Sequence, residues 1–407
     1  MRRGVAARAT AATLLARVTD EGAYANVVVR TGTRDLERRD ALFVQRLVYT
    51  ALRMLNRIDR VVDERVSRPV DPIVRAVLRI GVGELLFTGG DAYASVDSAV
   101  EAVRALGAPR AAGFVNGVLR AVSREGEPPL PRDEEGRALE LGVPVWLMSD
   151  LVAAFGEEDA VAFLEASNAP SQVCVRRRAG PAPGEPVESI DGAYVVPDTS
   201  ALRAAIERGD LVVADPSSTA VAAALDPKPG HRVLDLAAAP GGKTLHLWDL
   251  MSGEGLLVGM DRNPRRVGSA RRRLSGLGAD PHWVVGDARH PPFAAETFDR
   301  ILLDAPCTGL GTLRRRPEIR HRLRPESAYE AGRTQRLMLE AAVSLLRPGG
   351  RLVYSVCTVT PHETSSVVEG MGTRGPEGAP GRDLGAGVLL APHITGSDGM
   401  FIAVLER

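Results

Sequence analysis

The sequence predicts an α/β protein: a parallel sheet covered by helices on both faces, preceded by an all-α bundle and a small α+β module. Three observations predict it. From about Asp215 onward, short apolar runs alternate with helical stretches in a βαβα pattern. Before Glu125 the apolar spacing is helical throughout. Between them in importance stands Val233-Leu234-Asp235-Leu236, which runs through Ala237-Ala238-Ala239-Pro240 into Gly241-Gly242-Lys243-Thr244. That is a buried strand feeding a glycine turn and a helix N-terminus, the place where open α/β sheets bind ligands.

The 407 residues are long enough for two or three domains. Hydrophobic residues make up 44% and charged residues 25%, an ordinary globular composition. No run approaches the roughly 18 uninterrupted apolar residues of a membrane span. Arg8 and Arg17 interrupt any signal-peptide core, so the expectation is a cytosolic protein with no membrane partner. Net charge is +0, yet Arg262, Arg265, Arg266, Arg271, Arg272 and Arg273 cluster, as do Arg314, Arg315, Arg316, Arg320, Arg322 and Arg324. Basic patches on a neutral chain suit a polyanion; either cluster alone equally suits a solvated helix face. Three cysteines without a C-x-x-C give neither a disulfide framework nor a metal site.

Taken in order, residues 1–126 read as a helical bundle. Ala41 to Leu55 and Ile73 to Ile80 have apolar residues at helical spacing, and Ser98-Ala99-Val100-Glu101 has the form of a capping box. Gly107 and Pro109 stop that helix, and Gly113 to Arg120 belongs to the next. Glu125 to Arg132, with three prolines, is a linker. Residues 134–213 form the small module, with helices around Val145–Phe155 and Glu157–Ser167 and short strands at Gln172–Arg176, Val195–Val196 and Leu211–Val213. Residues 214–407 carry the sheet. Its strands are expected at Arg232–Leu236, Leu256–Met260, Trp283–Val285, Arg300–Asp304 and Arg351–Val356, with an antiparallel pair, Val388–Leu390 and Met400–Leu405, at one edge. Helices fall around Lys243–Met251, Pro264–Leu274 and Ala328–Leu346, and the Gly/Pro-rich stretch from Gly370 to Gly387 reads as a surface loop.

The glycine loop is not a phosphate loop. G-x-x-x-x-G-K-[ST] needs a first glycine, and position 237 is Ala. Acids end or follow four strands: Asp235, Asp261, Asp287 and Asp304. An acid roughly 20 residues past a glycine loop holds ribose hydroxyls, which suits Asp261. Asp287 is placed to reach an adenine amino group. Several carboxylates on one sheet edge, with no phosphate cluster, point to a nucleoside without a triphosphate, such as S-adenosylmethionine.

Two thiols stand at neighbouring strand ends, in Asp304-Ala305-Pro306-Cys307-Thr308-Gly309 and Tyr354-Ser355-Val356-Cys357-Thr358. The chemistry that needs a thiol beside a methyl donor is methylation of a pyrimidine carbon. C5 of cytosine is a poor nucleophile; thiolate addition at C6 turns it into an enamine-like carbon, and a carboxyl group at N3 supports the addition. Such a target is an unpaired or flipped base. The arginines of Thr308–Glu326 are expected to hold RNA backbone beside the crevice.

These residues resemble the Sun/Fmu-type ribosomal RNA cytosine-C5 methyltransferases of the NOL1/NOP2/Sun group over nearly the whole chain. Ala238 to Thr244 resembles the cofactor loop, Asp304 to Gly309 the Asp-Ala-Pro-Cys motif, and Tyr354 to Thr358 with Glu363 the second cysteine motif. Phe114 to Arg120 resembles the signature closing a NusB-like RNA-binding domain. The resemblance implies a Rossmann-like S-adenosylmethionine-dependent methyltransferase domain. Cys357 would be the nucleophile, Cys307 would assist release, Asp304 would contact the cytosine, and Lys243 would lie near the reacting groups. The cofactor would be held by Ala237, Ala238, Ala239, Pro240, Gly241, Gly242, Lys243, Asp261, Arg266, Asp287 and Asp304. The implied substrate is a cytosine of small-subunit (16S) ribosomal RNA, naked or partly assembled, and nothing demands more than a monomer. Ala237 stands where the family often has Cys, Val356 where it often has Thr, and Arg176-Arg177-Arg178 replaces an Arg-x-Asn pattern. Two other readings stay open: a transfer RNA cytosine-C5 methyltransferase, and an inactive RNA-binding assembly factor.

Overall fold

The computed structural model describes residues 3–188, 190–197 and 199–407. The chain divides into two compact units, Met1–Asn168 with Leu313–Leu323, and Ala169–Thr312 with Arg324–Arg407. The division runs through the stretch 134–213, so its helices belong with the first unit and its strands with the second. Among the described residues no single helix is long and apolar enough to cross a membrane.

The first unit is helical. It contains α1 (Arg3–Thr19), α2 (Ala25–Gly32), α3 (Arg38–Arg53), α4 (Leu55–Asp63), α5 (Pro72–Phe87), α6 (Ala92–Ala105) and α7 (Ala112–Glu125), then α8 (Glu134–Leu141), α9 (Val145–Phe155) and α10 (Glu157–Asn168). Leu15, Val48, Ile58, Leu78, Val115 and Leu119 are among its buried core residues. Helix α5 starts at Pro72 because Asp71 accepts the Ile73 N–H at 2.9 Å and proline fits the first turn. The expected capping box at Ser98 lies inside α6 instead. That helix begins at Ala92, because Asp91, seven residues before Ser98, accepts the Ala94 N–H at 2.7 Å.

Within Leu313–Leu323 the side chains of Arg320 and Arg322 are bonded into this unit rather than offered to a polyanion, whereas Arg315 is exposed. Arg320 is fully buried. Its Nη1 lies 2.9 Å from Asn168 Oδ1, 3.3 Å from the carbonyls of Leu141 and Gly142, and 3.4 Å from that of Arg53. His321 Nε2 lies 2.8 Å from the Leu52 carbonyl, and Arg322 donates to the Ala23 and Val18 carbonyls. Arg316 and Arg322 both stand over the Tyr24 ring. Most of these acceptors are the orphan carbonyls at the C-termini of α1, α3 and α8, and a guanidinium is a fork of donors that suits them. Helix-terminal carbonyls and phosphates attract arginine alike, so composition alone does not separate the two roles.

The second unit opens with a four-stranded antiparallel sheet, β1 (Val173–Arg177), β2 (Glu185–Pro186), β3 (Ala193–Val196) and β4 (Leu211–Val213), in the order β2-β3-β1-β4, with α11 (Arg203–Arg208) before β4. Its main part follows as α12 (Pro216–Leu225), β5 (Arg232–Asp235), α13 (Gly242–Leu250), β6 (Leu256–Asp261), α14 (Pro264–Ser275), β7 (His282–Val285) and β8 (Phe298–Asp304). After the excursion come α15 (Ser327–Leu345), β9 (Leu346–Val356), β10 (Arg382–Asp383), β11 (Val388–Leu390) and β12 (Met400–Glu406). The strand order is β10-β11-β12-β9-β8-β5-β6-β7. The pairs from β7 to β9 are parallel, and β12 and β11 close the edge antiparallel. This is the expected Rossmann-like sheet, with buried Val233, Leu257, Leu302 and Val353 in its core. The strand order reverses between β5 and β8, which makes that gap the ligand crevice. The stretch from Gly370 to Gly387 is partly sheet rather than loop alone. Arg374 bridges Val404, and β10 pairs with β11 through Arg382 and Asp383.

Arg176 of β1 and Arg178 just after it both reach Asp249 on α13, at 2.7 and 2.8 Å.

Candidate active site

Asp304 ends β8 and pairs in register with Ser355 of β9. The chain leaves both strands at the same edge, so Cys307 and Cys357 come together with their Sγ atoms 3.3 Å apart. Lys243 stands in the first turn of α13, on the other side of the crevice. Its Nζ lies 2.8 Å from Asp304 Oδ2, while Ser355 Oγ donates to Asp304 Oδ1 at 2.9 Å. All four residues expected to carry chemistry thus share one site.

The charges there are ordered. Burial pulls the Lys243 pKa down, but the Asp304 carboxylate, its hydrogen bond, Cys357 and Asp235 outweigh this, and the net direction is up. Lys243 is therefore an ammonium at neutral pH, in the field of Cys357. The Cys307 thiol is pushed well above its ordinary value, first by its hydrogen bond with Cys357, then by burial and by Cys357, Glu363 and Asp304. Tyr354 behind them is buried and also pushed up, mainly by burial.

The glycine loop is shaped by its neighbours. Leu236 N–H donates to Leu302 O at 2.9 Å and Ala238 N–H to Met260 O at 2.8 Å, which stretches Ala237–Ala239 across the ends of β8 and β6. Gly241 has φ +92°, and a Cβ there would come within 2.7 Å of Leu274 Cδ1 on α14. Only glycine meets both conditions. Beneath the loop Asp235 is buried, with Thr244 Oγ1 donating to Oδ2 at 2.7 Å. Burial pushes its carboxyl up to about 7, against the pull of the Thr244 hydrogen bond.

The two other acids lie further along the same edge. Asp261 ends β6, accepts the Asn263 N–H at 2.9 Å and pairs with Arg266 Nη1 at 3.2 Å. Arg266 also donates to the Ala239 carbonyl, which ties the acid to the loop. Asp287 follows β7; its side-chain hydrogen bonds from Arg289 hold its carboxyl down at about 2. Ala237, Pro240 and Gly242 complete the loop between Asp235 and Lys243.

Reasoning from the sequence placed Glu363 in a motif without giving it a task. It is fully buried behind the two cysteines. Thr308 N–H donates to Oε1 at 2.8 Å and Gln335 Nε2 at 3.1 Å. Thr358 and Thr360 hydroxyls reach Oε2 at 3.0 and 3.2 Å, and the Thr308 hydroxyl also contacts it. Among the described residues no cluster of three or more His, Cys, Asp or Glu side chains is arranged to hold a metal ion.

The family model described as 16S rRNA methyltransferase RsmB/F matches residues 222–406, and that of the NusB family matches residues 5–124. The chain is 32% identical over 438 residues to the ribosomal RNA small subunit methyltransferase B of Xanthomonas campestris pv. campestris, with 99% of this chain and 98% of that protein covered. It is 30% identical over 433 residues to the protein of that name from Klebsiella pneumoniae subsp. pneumoniae, covering 100% and 99%. The crystal structure of PH0851 shares the fold at a TM-score of 0.86 and 25% identity, covering 100% of this chain and 98% of that one.

Proposed function

This chain belongs to the 16S rRNA methyltransferase RsmB/F family, and from that premise we propose that it methylates C5 of a cytosine in small-subunit ribosomal RNA, using S-adenosylmethionine. The observation that carries the C5 chemistry is the pair of thiols 3.3 Å apart beside the Lys243–Asp304 ion pair. Methylation of an exocyclic amine or a ribose hydroxyl has no use for them.

The residues at the sheet edge fit the cofactor. A loop that only glycine at 241 allows, and carboxylates at the ends of β6 and after β7, are the donor set of a nucleoside site. Ala237 to Lys243 would line it, Asp261 with Arg266 would hold the ribose end, Asp287 the adenine end, and Asp304 would border the reacting end. When bound, S-adenosylmethionine supplies an electrophilic methyl group. Cys357 adds to C6 of the cytosine, and its sulfur–carbon bond makes C5 nucleophilic. N3 takes up a proton as the sulfur adds, and the Asp304 carboxylate, held by Lys243 and Ser355, would accept that N3–H and so support the addition. After transfer the C5 proton passes to water, its electron pair re-forms the C5–C6 double bond as the bond to Cys357 breaks, and the Cys307 thiol assists that release. Asp235 stays beneath the loop and fixes Thr244.

Bisulfite sequencing of ribosomal and transfer RNA from cells with and without the gene tests the reading. Loss of one protected cytosine in small-subunit RNA is the expected result. Loss at a transfer RNA position overturns the substrate, and no change at any cytosine overturns the activity in favour of an RNA-binding assembly role.

A further inference from the structure

The site contains a buried carboxyl group that the reaction, as derived, does not use. Glu363 is fully buried, and no lysine or arginine is paired with it among the described residues. An ionised carboxylate in such a place is expensive unless donors surround it. Here every polar side chain that touches it is a donor, and all of these donors but Thr360 hold a residue next to a thiol. Thr308 follows Cys307 and gives both its N–H and its hydroxyl. Thr358 follows Cys357 and gives its hydroxyl, which also lies 2.9 Å from that of Thr308. Gln335 of α15 bridges Glu363 Oε1 to the carbonyl of Pro306, the residue before Cys307, at 3.1 and 3.0 Å. Cys307 is therefore fastened on both sides, and Cys357 on the side where the chain leaves β9.

We propose that Glu363 is a positioning residue for the cysteine pair: its carboxylate binds the Cys307 loop to the Cys357 loop and makes the two thiols differ in reactivity. This rests on the cytosine-C5 reading for its purpose, not for its geometry. The first half follows from the bonds. A neutral glutamine would present an amide N–H₂ on one side, facing donors on either Thr308, Thr358 and Thr360 or Thr308 and Gln335. The second half follows from placement. The segment around Cys307 is tied to Glu363 on both sides, by the Thr308 N–H and hydroxyl and by Gln335, which also holds the Pro306 carbonyl, whereas the Cys357 segment reaches Glu363 only after the cysteine, through the Thr358 and Thr360 hydroxyls. A chemistry that uses one sulfur as nucleophile and the other as a proton-bearing assistant needs such a difference.

The test is alkylation of the folded protein by iodoacetamide across pH, without RNA or cofactor, each cysteine followed separately by peptide mass spectrometry. Removing the charge in Glu363→Gln should raise the Cys307 rate about tenfold near neutral pH. In turnover the same variant should lose about tenfold or more in kcat with the RNA KM within about twofold, because Glu363 is fully buried and only the thiol geometry has changed. A Cys307 rate within about twofold of the unsubstituted protein, in a variant that still folds, overturns the proposal. Should Glu363→Gln not fold, Thr308→Val removes one hydroxyl donor and keeps the charge. It should lower kcat about threefold or more at unchanged KM, and an unchanged kcat overturns the clamp. Alkylation needs no substrate, so a changed Cys307 rate in a protein that methylates no cytosine would sink the proposed reaction and leave the role of Glu363 standing.

Discussion

The sulfurs of Cys307 and Cys357 lie 3.3 Å apart although fifty residues separate them in the chain. The distance follows from the sheet. Asp304 and Ser355 are register partners on adjacent parallel strands, and the two loops leave from the same edge. One thiol within reach of a base is enough to form an adduct; the second has a use only when the adduct must be undone.

Replacing the thiols one at a time should therefore give opposite phenotypes. Cys357→Ala should abolish methyl transfer while cofactor affinity stays nearly unchanged, since Cys357 stands at the end of β9 and not in the loop from Ala237 to Gly242. Cys307→Ala should let the covalent protein–RNA species build up, seen as a band that survives a denaturing gel. Appearance of that band with Cys357→Ala instead would exchange the two roles.

Gly241 offers a test of the cofactor loop. Its φ of +92° and the 2.7 Å approach of an added Cβ to Leu274 Cδ1 mean that Gly241→Ala must shift the loop or α14. We expect a stability loss of about 1–3 kcal/mol and a raised dissociation constant for S-adenosylmethionine. Thermal denaturation and titration calorimetry measure both, and a variant with unchanged values for both would remove the loop from the cofactor site.

Arg320 and Arg324 separate structural arginines from surface ones. Arg320→Ala takes this buried donor from the Gly142 carbonyl and Asn168 Oδ1, while the Leu141 carbonyl keeps Asn168 Nδ2, a loss of about 2 kcal/mol or more in thermal or chemical denaturation. Arg324 is exposed and pairs with Glu330 at 3.5 Å, so Arg324→Ala should cost less than about 0.5 kcal/mol. Equal effects would mean that Arg320 does not serve the helix ends.

What was legible in the sequence is what neighbouring residues decide. The βαβα alternation, the glycine loop and the acid at each strand end are local signals, and adjacent parallel strands then bring Cys307 and Cys357 together. The tasks of Glu363 and Arg320 were not legible because their partners are remote: Gln335 is 28 residues from Glu363, and Leu141 is 179 from Arg320. An arginine-rich run reads as a phosphate contact until the helix C-termini it closes are in place. Asp91 shows the reverse case. A nearer cap took the helix start, and the capping-box pattern at Ser98 was left in mid-helix.

Asp235 sets a pH dependence whose sign is fixed. Its carboxyl lies at about 7 in the folded chain against an ordinary 3.8, chiefly because it is buried. Below the ordinary value both the folded and unfolded chains hold the proton, and the group favours neither. As pH rises, the unfolded chain gives up its proton first while the folded chain keeps it. Stability from this group is thus lost progressively up to about pH 7 and then levels off. Asp235→Asn keeps an oxygen for the Thr244 hydroxyl and has no proton to lose. Its melting temperature should gain on that of the unsubstituted protein between about pH 4 and pH 7, with a constant difference above that. A difference independent of pH over the whole range would show that Asp235 ionises in the fold as it does in water, and that the ground beneath the cofactor loop is wetter than its burial says.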